Sequence, residues 1–131
     1  MKIKKVSPSE LLGRPLNEIE KKYAPKELYI SGSMKIPLPG PRVAIIGTRS
    51  PSEQGKKDAI EITKKLVEYG VIIVSGLARG IDTVAHKTAI EHGGKTIAVL
   101  GTPLNRVYPK ENKSLQDLIM REHLAVTQYP I

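Results

Sequence analysis

The stretch VAIIGTRSPS, residues 43–52, passes from a continuous apolar run into a glycine and then into polar residues. The same change recurs in VIIVSGLARGID at residues 71–82 and in TIAVLG at residues 96–101, and LAVT at residues 124–127 is a weaker fourth run. Runs rich in β-branched residues that do not alternate with polar ones are typical of strands buried on both faces. The sequence therefore predicts about four strands of a parallel sheet.

Segments with apolar residues at helical spacing separate these strands. Residues 50–53, SPSE, place a serine, a proline and a glutamate where an N-cap, a first helical position and a capping box require them, so Ser50 is predicted to cap the first helix. Asp82 is predicted to cap a helix over residues 83–92, and Asn112 to cap a third helix. The alternation of strand and helix predicts an α/β fold, an open parallel sheet with right-handed crossovers and helices on both faces.

The pattern is less regular before residue 42. Residues 1–41 are expected to form an N-terminal extension and linker, and residues 42–131 to form the main domain. A short helix is predicted within residues 9–23, although Pro15 interrupts it, and residues 28–30 form a candidate strand. A stiff linker is predicted from Pro37, Pro39, Gly40 and Pro41.

Composition limits the classes of function. Lys and Arg number 21 against 13 acidic residues, a net charge of +8 that indicates a polyanionic partner but would also serve solubility. The absence of cysteine excludes a disulfide framework, a thiolate zinc site and a cysteine nucleophile. No apolar run approaches the ~20 residues that a membrane helix needs, and no secretion signal is evident, so we expect a cytoplasmic protein without a membrane partner. Phe and Trp are absent and Tyr numbers five, which disfavours a surface built mainly on base stacking.

The loops that follow the strands are the candidate site. In open parallel sheets, ligands bind beyond the carboxyl ends of the strands. Glycines there let the backbone approach a ligand, a following helix directs free N–H groups at it, and arginine adds a permanent charge. Glycines could instead serve only to permit tight turns, but two neighbouring loops that each carry an arginine favour phosphate binding. Neither a G-x-x-x-x-G-K-[ST] loop nor a G-x-G-x-x-G fingerprint is present.

Four motifs in order resemble those of the DprA/Smf DNA-processing family. They are VAIIGTRSPS at residues 43–52, SGLARGID at residues 75–82, GGKTIAVLG at residues 93–101 and YPKEN at residues 108–112. The resemblance extends from about residue 28 to residue 130. Each motif alone is weak, but the ordered set is specific.

This resemblance implies a Rossmann-like domain that binds single-stranded DNA without catalysis and without a cofactor. It implies a role in natural transformation and DNA recombination, with a RecA-type recombinase as a further partner. The family's N-terminal helical domain, later strands and C-terminal winged-helix module have no room in 131 residues, so a minimal or truncated member is expected and recombinase loading is doubtful. A short sheet with an apolar edge would also pair with another chain, which predicts a homodimer.

The resemblance also suggests site residues. Arg49 and Lys95 match the family's principal basic DNA contacts, although Lys95 precedes a strand and is expected to lie away from the other loops. Arg79, Arg106 and the loop glycine Gly101 are added from charge and placement. The residues expected to supply the phosphate-facing loops are Gly47, Thr48, Ser52, Ser75, Gly76, Ala78 and Gly80.

Two other functions remain open. The wider LOG-like superfamily includes phosphoribohydrolases, so nucleotide-phosphate sensing or hydrolysis is an alternative, but their PGGxGTxxE segment is absent. A scaffold that binds a partner and has lost its ligand is the second. Neither Ser52 nor Ser75 has an evident histidine base, and the three histidines lack metal-ligand spacing, with His86 expected to be a packing or surface residue.

Overall fold

A computed structural model describes residues 2–131, which form one six-stranded sheet with five α-helices. The strands, in chain order, are β1 (Lys4–Val6), β2 (Leu28–Gly32), β3 (Arg42–Ala44), β4 (Ile72–Ser75), β5 (Thr96–Leu100) and β6 (Leu124–Thr127). The helices are α1 (Pro8–Leu12), α2 (Glu18–Tyr23), α3 (Glu53–Glu68), α4 (Ile81–Glu91) and α5 (Lys113–Glu122), with a 3₁₀ turn at Lys110–Asn112.

The four predicted strands are confirmed, and the sheet is larger than expected. Strands β3, β4, β5 and β6 are parallel neighbours, as the apolar runs indicated. Strands β2 and β1 extend the sheet beyond β6 in the antiparallel sense, so it has six strands instead of about four. The count was too low because β1 is a three-residue strand, KKV, with no apolar run to mark it. The expected boundary at residue 41 falls between β2 and β3, which belong to the same sheet. The division of the chain into an extension and a main domain stays a prediction.

The order of the parallel strands determines where the helices lie. The order β6-β5-β4-β3 steps in one direction, so right-handed crossovers place α3, α4 and α5 on the same face. Buried side chains of α4 and α5, such as Ala89 and Ile119, pack there against Ile73 and Ala98. The other face is covered by α1, through Leu11, and by the segment at residues 34–38. Helices thus flank both faces, but the long ones share one.

The coverage of the second face stops before β3. Strand β3 is the last strand of the sheet and all three of its residues are exposed. Ile46, just beyond it, is 75% exposed, and Val99 of β5 is 50% exposed. An open edge and an apolar surface therefore lie side by side at this end of the sheet.

Two helix starts differ from the prediction. Ser52, not Ser50, caps α3, and its Oγ accepts the N–H of Gly55 at 3.0 Å. Ser50 is held in a separate turn, because its N–H donates to Thr48 Oγ1 at 3.1 Å. Helix α4 begins at Ile81 with Gly80 as its N-cap, so Asp82 lies inside the first turn.

The N-terminal region forms two short helices where one interrupted helix was predicted. Capping boxes at Ser7 and Asn17 start α1 and α2, and Gly13, at a φ of 73°, ends α1. No helix within residues 2–131 has the length and apolar character needed to cross a membrane.

Candidate functional site

The loops that follow β3, β4 and β5 meet at one edge of the sheet, here named the carboxyl rim: residues 47–52, 76–80 and 101–109. The first two loops are in direct contact, because the N–H of Ile81 donates to the carbonyl of Thr48 at 3.1 Å. A Cβ atom on Gly80 would lie 2.3 Å from that carbonyl oxygen, and one on Gly47 would lie 2.7 Å from Ile81. The two glycines are therefore needed for the loops to pack as one unit.

Free backbone donors collect at this rim. The N–H groups of residues 47–49 and 76–80 donate to no protein acceptor within residues 2–131. The 11-residue helix α4 starts at the same place and directs the positive end of its dipole towards it. Unpaired amides beside a helix N-terminus form a site that favours an anion.

Two arginines border the free amides, and they differ in their partners. Arg49 is exposed and forms no ion pair within residues 2–131. The Nε of Arg79 lies 3.0 Å from Oε2 of Glu111, and both side chains are exposed. The pKa of Glu111 lies below its usual value because its own backbone N–H and Arg79 stabilise the carboxylate. Arg49 is therefore the free cation of the pair.

His86 lies beneath the rim and holds its second loop in place. Its Nε2 is hydrogen-bonded to the carbonyl of Gly76, and its Nδ1 lies 2.6 Å from Oγ1 of Thr96. Burial lowers the pKa of His86 to about 4, so the ring is neutral at pH 7. A neutral ring that donates from Nε2 must accept the Thr96 hydroxyl proton at Nδ1. From the sequence, His86 is expected to be a packing or surface residue, and its hydrogen bond to Gly76 was not predicted.

The segment YPKEN, residues 108–112, supports the same loop from the other side. Nδ2 of Asn112 donates to the carbonyl of Leu77 at 3.1 Å and to Oγ1 of Thr83 at 2.9 Å. Thr83 in turn donates to the carbonyl of Ala78 at 2.7 Å. Asn112 occupies the predicted N-cap position of α5, but its side chain braces the β4 loop instead of capping the helix.

A small cleft opens where the three loops meet. It has a volume of about 40 Å³ and is lined by Arg49, Ala78, Arg79, Tyr108 and Pro109. The cleft joins the loop after β3, the loop after β4 and the end of the loop after β5. Tyr108 was not among the predicted site residues. Its place in YPKEN, one of the four motifs, was the signal in the sequence that could have pointed to it.

The remaining predicted residues are distributed in four ways. The hydroxyl of Ser75 is buried and donates to the carbonyl of Ile45 at 2.6 Å, so it is turned away from the rim. Ser52 is committed to capping α3. Gly101 and Arg106 are exposed in the loop after β5, on the rim. Lys95 lies at the opposite edge of the sheet, where β5 begins, as its position in the sequence indicated.

The structure thus brings together a subset of the predicted residues. Those that gather where the first two loops touch are Gly47, Thr48, Arg49, Gly76, Ala78, Arg79 and Gly80.

Comparison with protein families and known sequences gives a consistent result. The family model described as DNA recombination-mediator protein A matches residues 8–131. DNA processing protein DprA of Streptococcus pneumoniae (strain ATCC BAA-255 / R6) is 48% identical over 106 residues, which are 81% of this chain and 37% of the relative. Protein Smf of Synechocystis sp. (strain ATCC 27184 / PCC 6803 / Kazusa) is 45% identical over 91 residues, 70% of this chain and 23% of the relative.

Solved structures resemble nearly the whole chain. The X-ray structure of DprA from Streptococcus pneumoniae superposes with a TM-score of 0.81 at 40% identity and covers 98% of this chain and 44% of that one. A structure of DNA processing protein A from Helicobacter pylori, described as giving insight into its single-stranded DNA binding mode, has a TM-score of 0.77 at 28% identity and covers 99% of this chain and 57% of that one. The chain therefore spans only part of the length of the relatives it matches.

Proposed function

The chain belongs to the DNA recombination-mediator protein A family, and on that premise we propose that it binds single-stranded DNA at the carboxyl rim without catalysing a reaction. The observation that supports this most directly is the group of free N–H donors at residues 47–49 and 76–80 beside the unpaired Arg49. These groups suit a phosphate, because they offer several donors and one permanent charge at one place. The Helicobacter pylori protein, which resembles 99% of this chain over 57% of its own, is described as binding single-stranded DNA.

Phosphate contacts give this proposal its expected character. Such contacts fix a strand in position but carry no information about base sequence. Binding should therefore depend strongly on salt, because each neutralised phosphate releases condensed counterions. With a net charge of +8, the chain also attracts a polyanion at long range.

The side chains of the rim favour binding over catalysis. His86 is buried and both of its ring nitrogens are engaged, so it has no free nitrogen to act as a general base. The hydroxyl of Ser75 donates to a backbone carbonyl and faces away from the rim. A nucleotide sensor would use the same amides, but it would be saturated by one nucleotide and would not respond to the length of an oligomer.

The proposal extends to partners and location. A homodimer is supported by the open edge of β3 beside the exposed Ile46. A monomer by light scattering at high concentration would contradict it. The proposed DNA function also suggests a RecA-type recombinase as partner and a cytoplasmic location. Both proposals fail if the chain does not bind DNA.

The test is a fluorescence titration with a labelled oligo-dT at two salt concentrations. We expect Arg49→Ala to weaken binding about tenfold for every base sequence. The slope of log affinity against log salt concentration should become shallower by about one, because one fewer counterion is released. Arg121→Ala is the matched control, because Arg121 is an exposed arginine on α5 outside the carboxyl rim. The two variants have the same net charge, and because Arg121 is paired with Glu122 at 3.3 Å, a difference between them measures the location and the free charge of Arg49 together.

Three outcomes would contradict the proposal. Equal binding by Arg49→Ala and Arg121→Ala would mean that the rim is not the site. Full competition by one equivalent of dTMP against a long oligomer would favour the nucleotide sensor. Absence of binding by the parent protein at low salt would remove the DNA function itself.

A further inference from the structure

We propose that the ring of Tyr108 is a stacking platform for one base of the bound strand, next to the phosphate site at Arg49. This inference rests on the proposed function and adds a second type of contact to it. The contact is one that neither the motif pattern nor the family description assigns. It concerns the base, whereas every contact argued above concerns the phosphate.

The position of Tyr108 is the first argument. Its side chain is 64% exposed, and it lines the small cleft with Arg49, Ala78 and Arg79. Its hydroxyl forms no hydrogen bond within residues 2–131. A nucleotide carries a phosphate and an aromatic base within a few bond lengths, so a cation and a ring around one cleft match both parts of it.

The segment that follows Tyr108 is held in place by its contacts. Pro109 is buried directly after Tyr108, and Asn112 is bonded to Leu77 and Thr83. Glu111 is paired with Arg79 across the cleft. The backbone that follows Tyr108 is therefore fixed while the ring remains free, so a base can bind with little further loss of conformational freedom.

Exposure alone would not distinguish this tyrosine. Tyr69 is 82% exposed, and Tyr23 is exposed beside Lys22, whose Nζ lies 5.4 Å from the ring centroid. Tyr69 follows the end of α3 next to Gly70, at the edge of the sheet opposite the rim. What separates Tyr108 from both is the pair of arginines in the same cleft.

The chemistry of stacking fits the low aromatic content of the chain. Every base presents a π-face, so one ring can hold any base and does not impose a sequence preference. A chain with five tyrosines and no Phe or Trp cannot build an extended stacking surface. One ring beside a phosphate site would anchor one nucleotide, and the backbone contacts would hold the rest.

The experiment compares protein variants on two ligands, one with bases and one without. Tyr108→Ala, Tyr108→Phe and the matched control Tyr69→Ala are titrated with an oligo-dT and with an abasic oligomer of the same length, which keeps the phosphates and lacks the bases. We expect Tyr108→Ala to bind oligo-dT about tenfold more weakly and Tyr108→Phe to bind within about twofold of the parent. Parent and Tyr108→Ala should bind the abasic oligomer equally, and Tyr69→Ala should match the parent with both ligands.

The salt dependence separates stacking from charge. Removal of a ring releases no counterion, so the slope of affinity against salt should be the same for Tyr108→Ala and the parent, whereas Arg49→Ala lowers it. A Tyr108→Ala protein that loses equal affinity for oligo-dT and for the abasic oligomer would overturn the stacking role. If binding depends on Arg49 and on salt but not on Tyr108, only this inference fails. If the parent binds no oligomer, the proposed function fails first.

Discussion

The two rims of the parallel sheet have similar sequences and different structures. The carboxyl rim combines glycines with Arg49 and Arg79, and the opposite amino rim combines Gly93 and Gly94 with Lys95. At the carboxyl rim the glycines allow two loops to touch, through Gly80 and Thr48. At the amino rim, Gly93 follows the end of α4 at a φ of 74°. A Cβ atom added at Gly93 would have no neighbour within 4 Å.

The direction of the helices explains why glycine beside a basic residue favours an anion site at the carboxyl rim but not at the amino rim. Helices α3 and α4 begin at the carboxyl rim and end at the amino rim. The helix dipoles therefore favour an anion at the first and a cation at the second. Lys95 is placed where a cation is stabilised by helix ends, which explains its presence without any ligand.

The largest expected effect comes from closing the contact between the two loops. In Gly80→Ala, the new Cβ would lie 2.3 Å from the carbonyl oxygen of Thr48 at a backbone φ of 82°, so the loops must separate. We expect a loss of about 3 kcal/mol in the free energy of unfolding, since the clash adds to the backbone strain. The measurement is a urea titration followed by circular dichroism.

Gly93→Ala is the control for that variant at the other rim. It shares the positive φ but meets no neighbouring atom, so we expect a loss of about 1 kcal/mol. Equal losses in the two variants would mean that backbone strain alone accounts for the effect and that the contact between the loops contributes nothing.

The second prediction concerns pH. Burial lowers the pKa of His86 to about 4 from 6.5, so the folded state keeps the ring neutral while the unfolded state takes up a proton. This stability is complete above pH 6.5 and is lost as the pH falls towards 4, a change of about 3 kcal/mol. Asp82 favours the charged form of His86 and His123 opposes it, so both are part of the balance.

A pair of histidine variants tests this prediction at each rim. Urea titrations between pH 7 and pH 4 should lose most of their pH dependence in His86→Gln. His123, whose pKa is lowered by its partial burial and by Lys95, contributes in the same direction, and His123→Gln should keep most of the slope. An unchanged slope in His86→Gln would contradict a buried neutral His86.

The parallel strands and the loops at their ends could be predicted because each depends on a local pattern. A continuous apolar run indicates a strand buried on both faces, and a glycine after it indicates a turn. The candidate strand at residues 28–30 is part of β2, but β1, the antiparallel pairing of β2 and the start of α3 at Glu53 were missed because they depend on pairing and on loop geometry. β1 is held by its register with β2, and Ser50 is drawn into a turn by Thr48.

The site shows the same division between local and long-range information. Arg49 and the rim glycines were identified from short motifs. The hydrogen bonds of His86 to Gly76 and of Asn112 to Leu77 join residues 10 and 35 positions apart in sequence. Ser75 was assigned to the rim from its place in the motif SGLARGID, but it is the last residue of β4 and the alternation of side chains turns its hydroxyl inward to Ile45. Such contacts depend on how the elements pack, which the motif pattern did not contain.

Removal of the Lys95 charge should change DNA binding least, because Lys95 lies at the rim away from the free amides. The family resemblance predicts Lys95 as a basic DNA contact, but Lys95 lies at the amino rim, so a strand held at Arg49 would have to run the length of the sheet to reach it. Lys95→Ala and Arg49→Ala remove one positive charge each. We expect Lys95→Ala to weaken oligo-dT binding by about twofold or less through long-range attraction alone, with a much smaller change in the salt slope than in Arg49→Ala. A tenfold loss that appears with a long oligomer and disappears with a short one would instead mean that the strand crosses from one rim to the other. Titration of both variants with oligomers of several lengths distinguishes these outcomes, because only a strand that spans both rims makes the contribution of Lys95 depend on length.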